Sequence, residues 1–129
     1  MNRSADWMSQ AARDLEKARL DAQYEYWEWA CFTSQQAAEK AVKGLLLNFG
    51  KVVWGHAITP MLCDFAEAEI PSYLIVAAQL LDAYYIPAHD PNGFSSGKLA
   101  DYFNREKAEQ AIQAAHAIIQ FCQNLLAGS

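Results

Sequence analysis

Residues 25–49 read EYWEWACFTSQQAAEKAVKGLLLNF, a run of 25 residues without proline. Small and apolar side chains recur in it at steps of three and four, which is the spacing of one α-helical face. That face consists of Trp27, Cys31, Ser34, Ala38, Ala41, Leu45 and Phe49. Gly50 follows directly and is a typical helix terminator. The segment therefore predicts a long helix from Glu25 to Phe49, with a middle narrow enough for close helix packing.

The opposite face of this helix is not simply polar. It carries Trp29, Phe32, Gln36, Lys40, Lys43 and Leu47. A helix with apolar groups on two sides has to be covered on both. A central position in a bundle or a contact between two copies of the chain would each achieve this. We therefore expect Trp29, Phe32 and Gln36 at a dimer interface.

Four further helices are predicted from apolar periodicity and from end signals. Their approximate bounds are Ala5–Ala22, Pro60–Ala68, Ser72–Tyr85 and Arg105–Leu126. Ser4, Thr59 and Asn104 are suited to the N-cap positions of three of them. No segment predicts a strand. The fold class is all-α, with four to five helices.

Length and composition limit the classes of protein to be considered. A chain of 129 residues predicts one domain spanning residues 1–129. With 53% hydrophobic and 19% charged residues it is not intrinsically disordered. Its net charge of −5 disfavours a nucleic-acid binder that depends on overall basicity. The odd set Cys31, Cys63 and Cys122 indicates no disulfide framework and favours a reducing, cytoplasmic location, with all three as small buried apolar groups.

Common catalytic and cofactor motifs are absent from the sequence. It contains no phosphate-binding glycine loop, no dinucleotide-binding turn and no zinc motif, so no cofactor and no metal site is predicted. Lys40 and Lys43 lie three residues apart on one helix face and, with Lys51, can form a small basic patch for a nucleotide or RNA phosphate. A solvated helix face is the simpler alternative. His56, beside Gly55, is a candidate for phosphate contact or for a structural hydrogen bond.

Residues 86–103 form the one long irregular segment, which contains two prolines and two glycines. Long loops in compact bundles are often functional. His89 lies in this loop beside Asp90, and an adjacent acid favours the charged imidazole. His89 and Asp90 are therefore candidate ligand-binding residues, and His89 is a weak candidate for a catalytic role.

Several strings of the sequence resemble the HEPN family. These are Tyr26–Phe32 (YWEWACF), Gln35–Ala41 (QQAAEKA), Lys43–Leu45 (KGL), Gly55-His56 with Ile58, Leu81-Asp82, and Tyr84–Pro87 (YYIP). The resemblance covers nearly the whole chain. It implies an up-and-down helical bundle that usually forms a homodimer. It also implies nucleotide or RNA binding and, for small prokaryotic members, pairing with a minimal nucleotidyltransferase in toxin–antitoxin fashion.

Many HEPN proteins are metal-independent ribonucleases with an arginine followed, after four to six residues, by a histidine. No arginine of this chain has a histidine at that spacing: the arginines are Arg3, Arg13, Arg19 and Arg105. In the matching loop His89 occupies the arginine position and Phe94 lies near the histidine position. An imidazole does not grip phosphate as a guanidinium does, and a phenyl ring transfers no proton.

The sequence therefore favours a non-catalytic HEPN module that binds a nucleotide, an RNA-like ligand or a nucleotidyltransferase partner. The predicted ligand contacts are Lys40, Lys43, His56, His89 and Asp90. One alternative is a ribonuclease toxin with an altered site, in which two His89 side chains act as acid and base. The other is a purely structural homodimer.

Overall fold

The computed structural model describes residues 3–85 and 97–128, and this part of the chain is helical with no strand. Five α-helices and one 3-10 turn are present in it: α1 (Ser4–Gln23), α2 (Trp27–Asn48), α3 (Ile58–Cys63), α4 (Ser72–Asp82), the turn Leu99–Tyr102, and α5 (Arg105–Gly128). The all-α prediction is confirmed. None of the helices in the described ranges is apolar over a length that would cross a bilayer.

Helix α2 is the centre of the bundle. It packs against α1 on one side and α5 on another, while α4 lies against α5 with α3 beside it. Almost every residue from Ala30 to Leu46 is buried or nearly so. The central position accounts for the two apolar faces of α2, which the sequence alone could also assign to a dimer contact.

The ends of α2 follow from backbone conformation. The helix begins two residues later than predicted because Glu25 has a φ of 66°, a left-handed conformation that a right-handed helix excludes. It ends at Asn48, one residue before the predicted Phe49, and the predicted terminator Gly50 follows with a φ of 71°. The N–H groups of Gly50 and Lys51 donate to the carbonyls of Leu47 and Leu46, at 3.0 Å each. A left-handed glycine thus closes the helix and turns the chain.

Helix α3 is shorter than predicted, since it ends at Cys63 and not at Ala68. Phe65 turns inward directly after the helix and is buried. Its ring lies edge-on to that of Phe49, with 5.3 Å between the ring centroids. Burying this aromatic side chain directs the backbone away from the helix axis.

The start of α3 is capped by a distant residue. The carboxylate of Asp82, at the end of α4, accepts hydrogen bonds from the N–H of Ile58 at 2.7 Å and of Thr59 at 2.9 Å. It also accepts one from the Thr59 hydroxyl at 2.6 Å. Thr59 is therefore not the N-cap, as predicted, but lies inside the helix. Helix α4 correspondingly ends at Asp82, before the predicted Tyr85.

The two outer helices match their predicted positions closely. The Asn104 side chain accepts a hydrogen bond from the Lys107 N–H at 2.9 Å, which confirms Asn104 as the N-cap of α5. Helix α1 begins at Ser4, and Arg3 occupies the N-cap position that Ser4 was expected to hold.

The cysteines divide into two kinds. Cys31 and Cys122 are buried, and burial raises the pKa of each thiol to about 12, so both are neutral, as small apolar groups are. Cys63 is exposed, which corrects the expectation that all three are buried. It is the last residue of α3, where the chain leaves the core.

Candidate functional site

A close contact between α1 and α2 brings Trp7 to the surface of α2. At Gly44, an added Cβ would lie 3.1 Å from both the carbonyl oxygen of Ser4 and the Cβ of Trp7. Such a distance is tighter than ordinary van der Waals contact, so a side chain at position 44 would push the start of α1 away. The small residue therefore positions Trp7 next to the polar side chains of α2.

These side chains line an open cleft of about 420 Å³, which we call the α2 cleft. Its lining residues come from α1, from α2, from the loop before α3 and from the segment after α4. They are Trp7, Gln36, Glu39, Lys40, Lys43, His56 and Tyr85. The volume lies within the roughly 300–1,000 Å³ of small-molecule sites. Lys40 and Lys43, which were predicted as one basic patch, and His56, which was predicted independently, meet in this one cleft.

Glu39 is the buried anchor of the cleft. Its Oε1 accepts a hydrogen bond from the Gln35 amide at 3.0 Å, and its Oε2 accepts one from Lys43 Nζ at 2.7 Å. The same Oε2 lies 3.0 Å from His56 Nδ1. Burial alone would raise the pKa of this carboxyl, but the hydrogen bonds from Lys43, Gln35 and His56 outweigh burial and hold its pKa below the ordinary value of 4.5. Glu39 is therefore ionised at neutral pH.

His56 is held on three sides. An ionised Glu39 only accepts, so Nδ1 carries the proton and its N–H donates a hydrogen bond to the carboxylate. The imidazole stacks on the Tyr85 ring, with 4.5 Å between centroids and 17° between planes. The Gln35 amide also donates to the His56 carbonyl oxygen at 3.3 Å. The ring orientation is thus determined, while Nε2 has no hydrogen-bond partner among the described residues.

The lysines of the expected basic patch are each paired with an acid. Lys40 forms an ion pair with Asp14 of α1, and Lys43 forms one with Glu39. Lys51 binds Glu67 at 2.6 Å and does not line the cleft. The patch is therefore smaller than predicted and is largely neutralised by its own neighbours.

One of the three residues expected at a dimer interface is buried inside the protomer. Phe32 is only 1% exposed and packs inside the protomer, with its ring centroid 5.4 Å from that of Phe103. The expectation that it faces a second copy is therefore wrong. Trp29 is 51% exposed and meets Phe32 edge-on, while Gln36 lines the α2 cleft.

The predicted loop residues His89 and Asp90 lie outside the described residues, as does Phe94. Of the arginines, Arg3 pairs with Asp6, and Arg105 lies over the Trp27 ring, 5.5 Å from its centroid. Within residues 3–85 and 97–128 no group of acidic, histidine and cysteine side chains is arranged to hold a metal ion.

Sequence reasoning missed Glu39, Trp7 and Tyr85 as parts of the site. Glu39 and Lys43 are four residues apart on a helix, the spacing of a favourable ion pair, so this contact could have been found. Trp7 and Tyr85 reach the cleft only through tertiary packing, for which the local sequence contains no signal.

The described residues thus form an all-α bundle. Its central helix, α2, is covered on both sides and lines a polar cleft at its exposed edge. The family model of the HEPN domain matches residues 4–125, and the chain belongs to the HEPN family. No curated protein gives a significant match.

Three crystal structures are similar over nearly their full length. TT1696 from Thermus thermophilus is 42% identical with a TM-score of 0.92, covering 96% of this chain and 98% of its own. ST0689, an archaeal HEPN homologue, is 38% identical with a TM-score of 0.84, covering 97% and 98%. A HEPN domain protein from Thermotoga maritima is 36% identical with a TM-score of 0.77, covering 95% and 98%.

Proposed function

We propose that this HEPN protein is a non-catalytic module that binds a nucleotide, or a similar phosphate-bearing ligand, in the α2 cleft. The observation that carries the proposal is the convergence of two ammonium groups and an oriented imidazole with two aromatic rings. Lys40, Lys43 and His56 supply the first set, and Trp7 and Tyr85 supply the rings.

The two sets of side chains suit the two halves of a nucleotide. Aromatic rings stack on any base, and ammonium groups donate charge-assisted hydrogen bonds to phosphate oxygens. Each ammonium has three N–H donors. Lys43 uses one of them for Glu39, so donors remain for a ligand. Nε2 of His56 can serve as a further donor to phosphate when the ring is protonated.

The charges of the cleft favour reversible binding over catalysis. Asp14 and Glu39 offset the two lysines, so a phosphate has to compete with these carboxylates and gains only moderate affinity. No arginine among the described residues lines the α2 cleft, so a bidentate phosphate clamp is missing from this part of it. A ligand held in this way is retained by charge and stacking, and its binding weakens with salt.

Replacing Lys43 by glutamine is expected to weaken ATP binding roughly tenfold, because one charge-assisted hydrogen bond to phosphate is lost. Isothermal titration calorimetry with ATP, GTP and a short RNA measures the change. Lys17→Gln is a matched control, because Lys17 also forms an ion pair four residues away, with Asp21, but lies outside the cleft. It should bind ATP as the unaltered protein does.

Flat titrations with all three ligands would refute this function. Cleavage of RNA by the purified protein, lost in the His89→Ala variant, would favour the ribonuclease alternative instead. A melting curve for each variant separates a loss of binding from a loss of folding.

Helix α4 supports the proposed homodimer better than α2 does. No charged residue occurs between Ile70 and Leu81. Leu74, Ala78 and Leu81 face the core, yet Tyr73 and Val76 are each 62% exposed on the other side. Ala77 and Leu80 follow the same helical repeat and are half-buried, since each also packs partly against the core. We call Tyr73, Val76, Ala77 and Leu80 the α4 stripe.

The α4 stripe is complementary to itself in antiparallel pairing. A twofold axis passing between Val76 and Ala77 places Tyr73 against Leu80 of the second copy, and Val76 against its Ala77. Each pair then occurs twice, once on either side of the axis, as an isologous contact requires. The stripe carries no charge, so two acidic chains can meet there without direct repulsion.

Replacing Val76 by glutamate is expected to abolish the dimer, because it buries two carboxylates at the twofold axis. Light scattering should show a mass of about twice 14.4 kDa for the unaltered protein and the monomer mass of 14.4 kDa for Val76→Glu. Gln79→Glu adds the same charge to α4 outside the stripe and should remain dimeric. A monomer mass for the unaltered protein at millimolar concentration would refute the homodimer. The proposed occupant of the α4 stripe would then be the nucleotidyltransferase of a toxin–antitoxin pair.

A further inference from the structure

His56 is the exposed member of a three-residue cluster that it forms with Glu39 and Lys43. Its side chain is 51% exposed, whereas that of Glu39 is 10% exposed and that of Lys43 is 16% exposed. His56 Nδ1 and Lys43 Nζ contact the same carboxylate oxygen, Glu39 Oε2, at 3.0 Å and 2.7 Å. A carboxylate fixed in the bundle thus holds an imidazole that lines the open α2 cleft.

The Glu39 carboxylate determines which nitrogen of the neutral imidazole can react. Because the proton lies on Nδ1, Nε2 carries the lone pair, and it has no hydrogen-bond partner among the described residues. Stacking on Tyr85 and the hydrogen bond from Gln35 to the His56 carbonyl oxygen restrict the ring further. Histidine is one of the side chains that form covalent intermediates, and such nucleophiles are commonly oriented by a hydrogen-bonded neighbour. Nε2 of His56 is therefore equipped to act as a nucleophile.

The positive charges beside the ring select the kind of group that Nε2 can accept. Lys43 lies within two hydrogen-bond lengths of the imidazole through their shared carboxylate oxygen, and Lys40 lines the same cleft. Ammonium groups stabilise the charged oxygens of a transferring phosphoryl group and donate charge-assisted hydrogen bonds to them. An uncharged group, such as a methyl group, would gain nothing from these neighbours. The surroundings of Nε2 therefore favour phosphoryl transfer.

We propose that Nε2 of His56 is a modification site that accepts a phosphoryl group from an activated phosphate, either an acyl phosphate or the γ-phosphate of a nucleoside triphosphate. The Nε2 lone pair forms the N–P bond, and the bond from phosphorus to the bridging oxygen of the donor breaks. The electron pair leaves with that oxygen, as acetate from acetyl phosphate or as ADP from ATP. The ring gains a positive charge, which ionised Glu39 offsets at Nδ1. The modification goes beyond reversible binding in the cleft and does not require it.

Incubating the full chain with acetyl phosphate, and separately with magnesium ATP, tests this proposal by intact-protein mass spectrometry. We expect a mass gain of one phosphoryl group, and the donor that produces it identifies the source. The gain should disappear in acid, because an N–P bond is acid-labile, whereas a phosphate ester on serine or tyrosine survives. His56→Gln should show no gain. His116→Gln is the control and should keep the full gain, since His116 is exposed on α5 and contacts no carboxylate of the described residues.

Glu39 acts in this reaction as a positioning residue. Glu39→Gln is expected to slow the modification about tenfold, the effect of losing one charge-assisted hydrogen bond. Nitrogen NMR of the His56 ring supplies a readout that a merely structural role would not change. The unaltered protein should carry the proton on Nδ1, whereas in Glu39→Gln the amide can donate to Nδ1, so that the tautomer with the proton on Nε2 becomes populated.

Several results would overturn the proposal. These are no mass gain with either donor, an equal gain in His56→Gln, and a gain that survives acid. Fragmentation of the modified chain locates the group without any variant, and a phosphoryl group on His89 or His116 would also contradict the assignment. Acetylation of Lys40 or Lys43 by acetyl phosphate in place of phosphorylation would make lysine the nucleophile of the cleft. Flat ATP titrations would refute nucleotide binding but leave the acetyl phosphate result valid, so the two proposals fail separately.

Discussion

Replacing Phe32 by alanine is expected to lower the free energy of unfolding by about 3–5 kcal/mol. The side chain is among the largest that are fully buried. Its ring lies edge-on to Phe103, which precedes α5, and to Trp29 on its own helix. Alanine removes this packing and leaves a cavity where α2 meets the segment before α5, which the rigid helices can fill only in part.

Urea unfolding followed by circular dichroism measures this loss. Trp29→Ala is the matched control, since it removes a larger aromatic ring from the same helix, three residues away. Because Trp29 is half exposed, we expect it to cost about 1 kcal/mol. Equal losses for the two variants would contradict the assignment of Phe32 to the core and Trp29 to the surface.

The contrast between these two residues explains which part of the fold the sequence could predict. The helical repeat predicts that a residue lies on a given face, and for α2 it correctly places apolar groups on two faces. It does not say what covers a face. Phe32 is covered in part by Phe103 of the same chain, while Trp29 is only half covered. Both outcomes depend on how the bundle closes.

Helix ends show the same division between local and tertiary causes. Gly50 and Asn104 act through their own backbone and side chain, and both were predicted. The start of α3 depends on Asp82, which is more than twenty residues away in sequence. Thr59 is a good local candidate for the N-cap, but the distant carboxylate provides the cap instead.

The three cationic members of the candidate site were predicted, but their acidic partners were not. Lys40, Lys43 and His56 were chosen because their side chains suit phosphate, and the structure brings them into one cleft. Their acidic partners Asp14 and Glu39 were not predicted as such. The pairing with Asp14 crosses from α2 to α1, so it depends on helix packing that no short pattern encodes.

Hydrogen bonds join the sequence strings that resemble the HEPN family to one another in the folded chain. Gln35 and Glu39 of the second helix bind the carbonyl and the side chain of His56 respectively. Asp82 holds Ile58, two residues further along, against the end of α4. A physical role of the strings is therefore to hold the loop that carries His56 between two helices. The same contacts orient the imidazole toward the α2 cleft.

Replacing Glu39 by glutamine tests this role, and we expect a loss of about 2 kcal/mol in the free energy of unfolding at pH 7. The amide keeps the size of the side chain but not its charge. Lys43 then lacks its ion-pair partner, and the hydrogen bond to His56 is weakened. The exposed Glu16→Gln is the control and should change stability by less than about 0.5 kcal/mol.

The pH dependence of this difference is the sharper measurement. The pKa of Glu39 is lower in the folded chain than the ordinary value of 4.5, so the folded state binds fewer protons at this position than the unfolded chain does. The stability that Glu39 contributes is therefore complete above about pH 5 and is lost as pH falls through the lowered pKa. Glutamine cannot titrate, so the gap between the two proteins should narrow on acidification. A gap of constant size from about pH 7 to about pH 3 would contradict an ionised Glu39, and with it the charge-held orientation of His56.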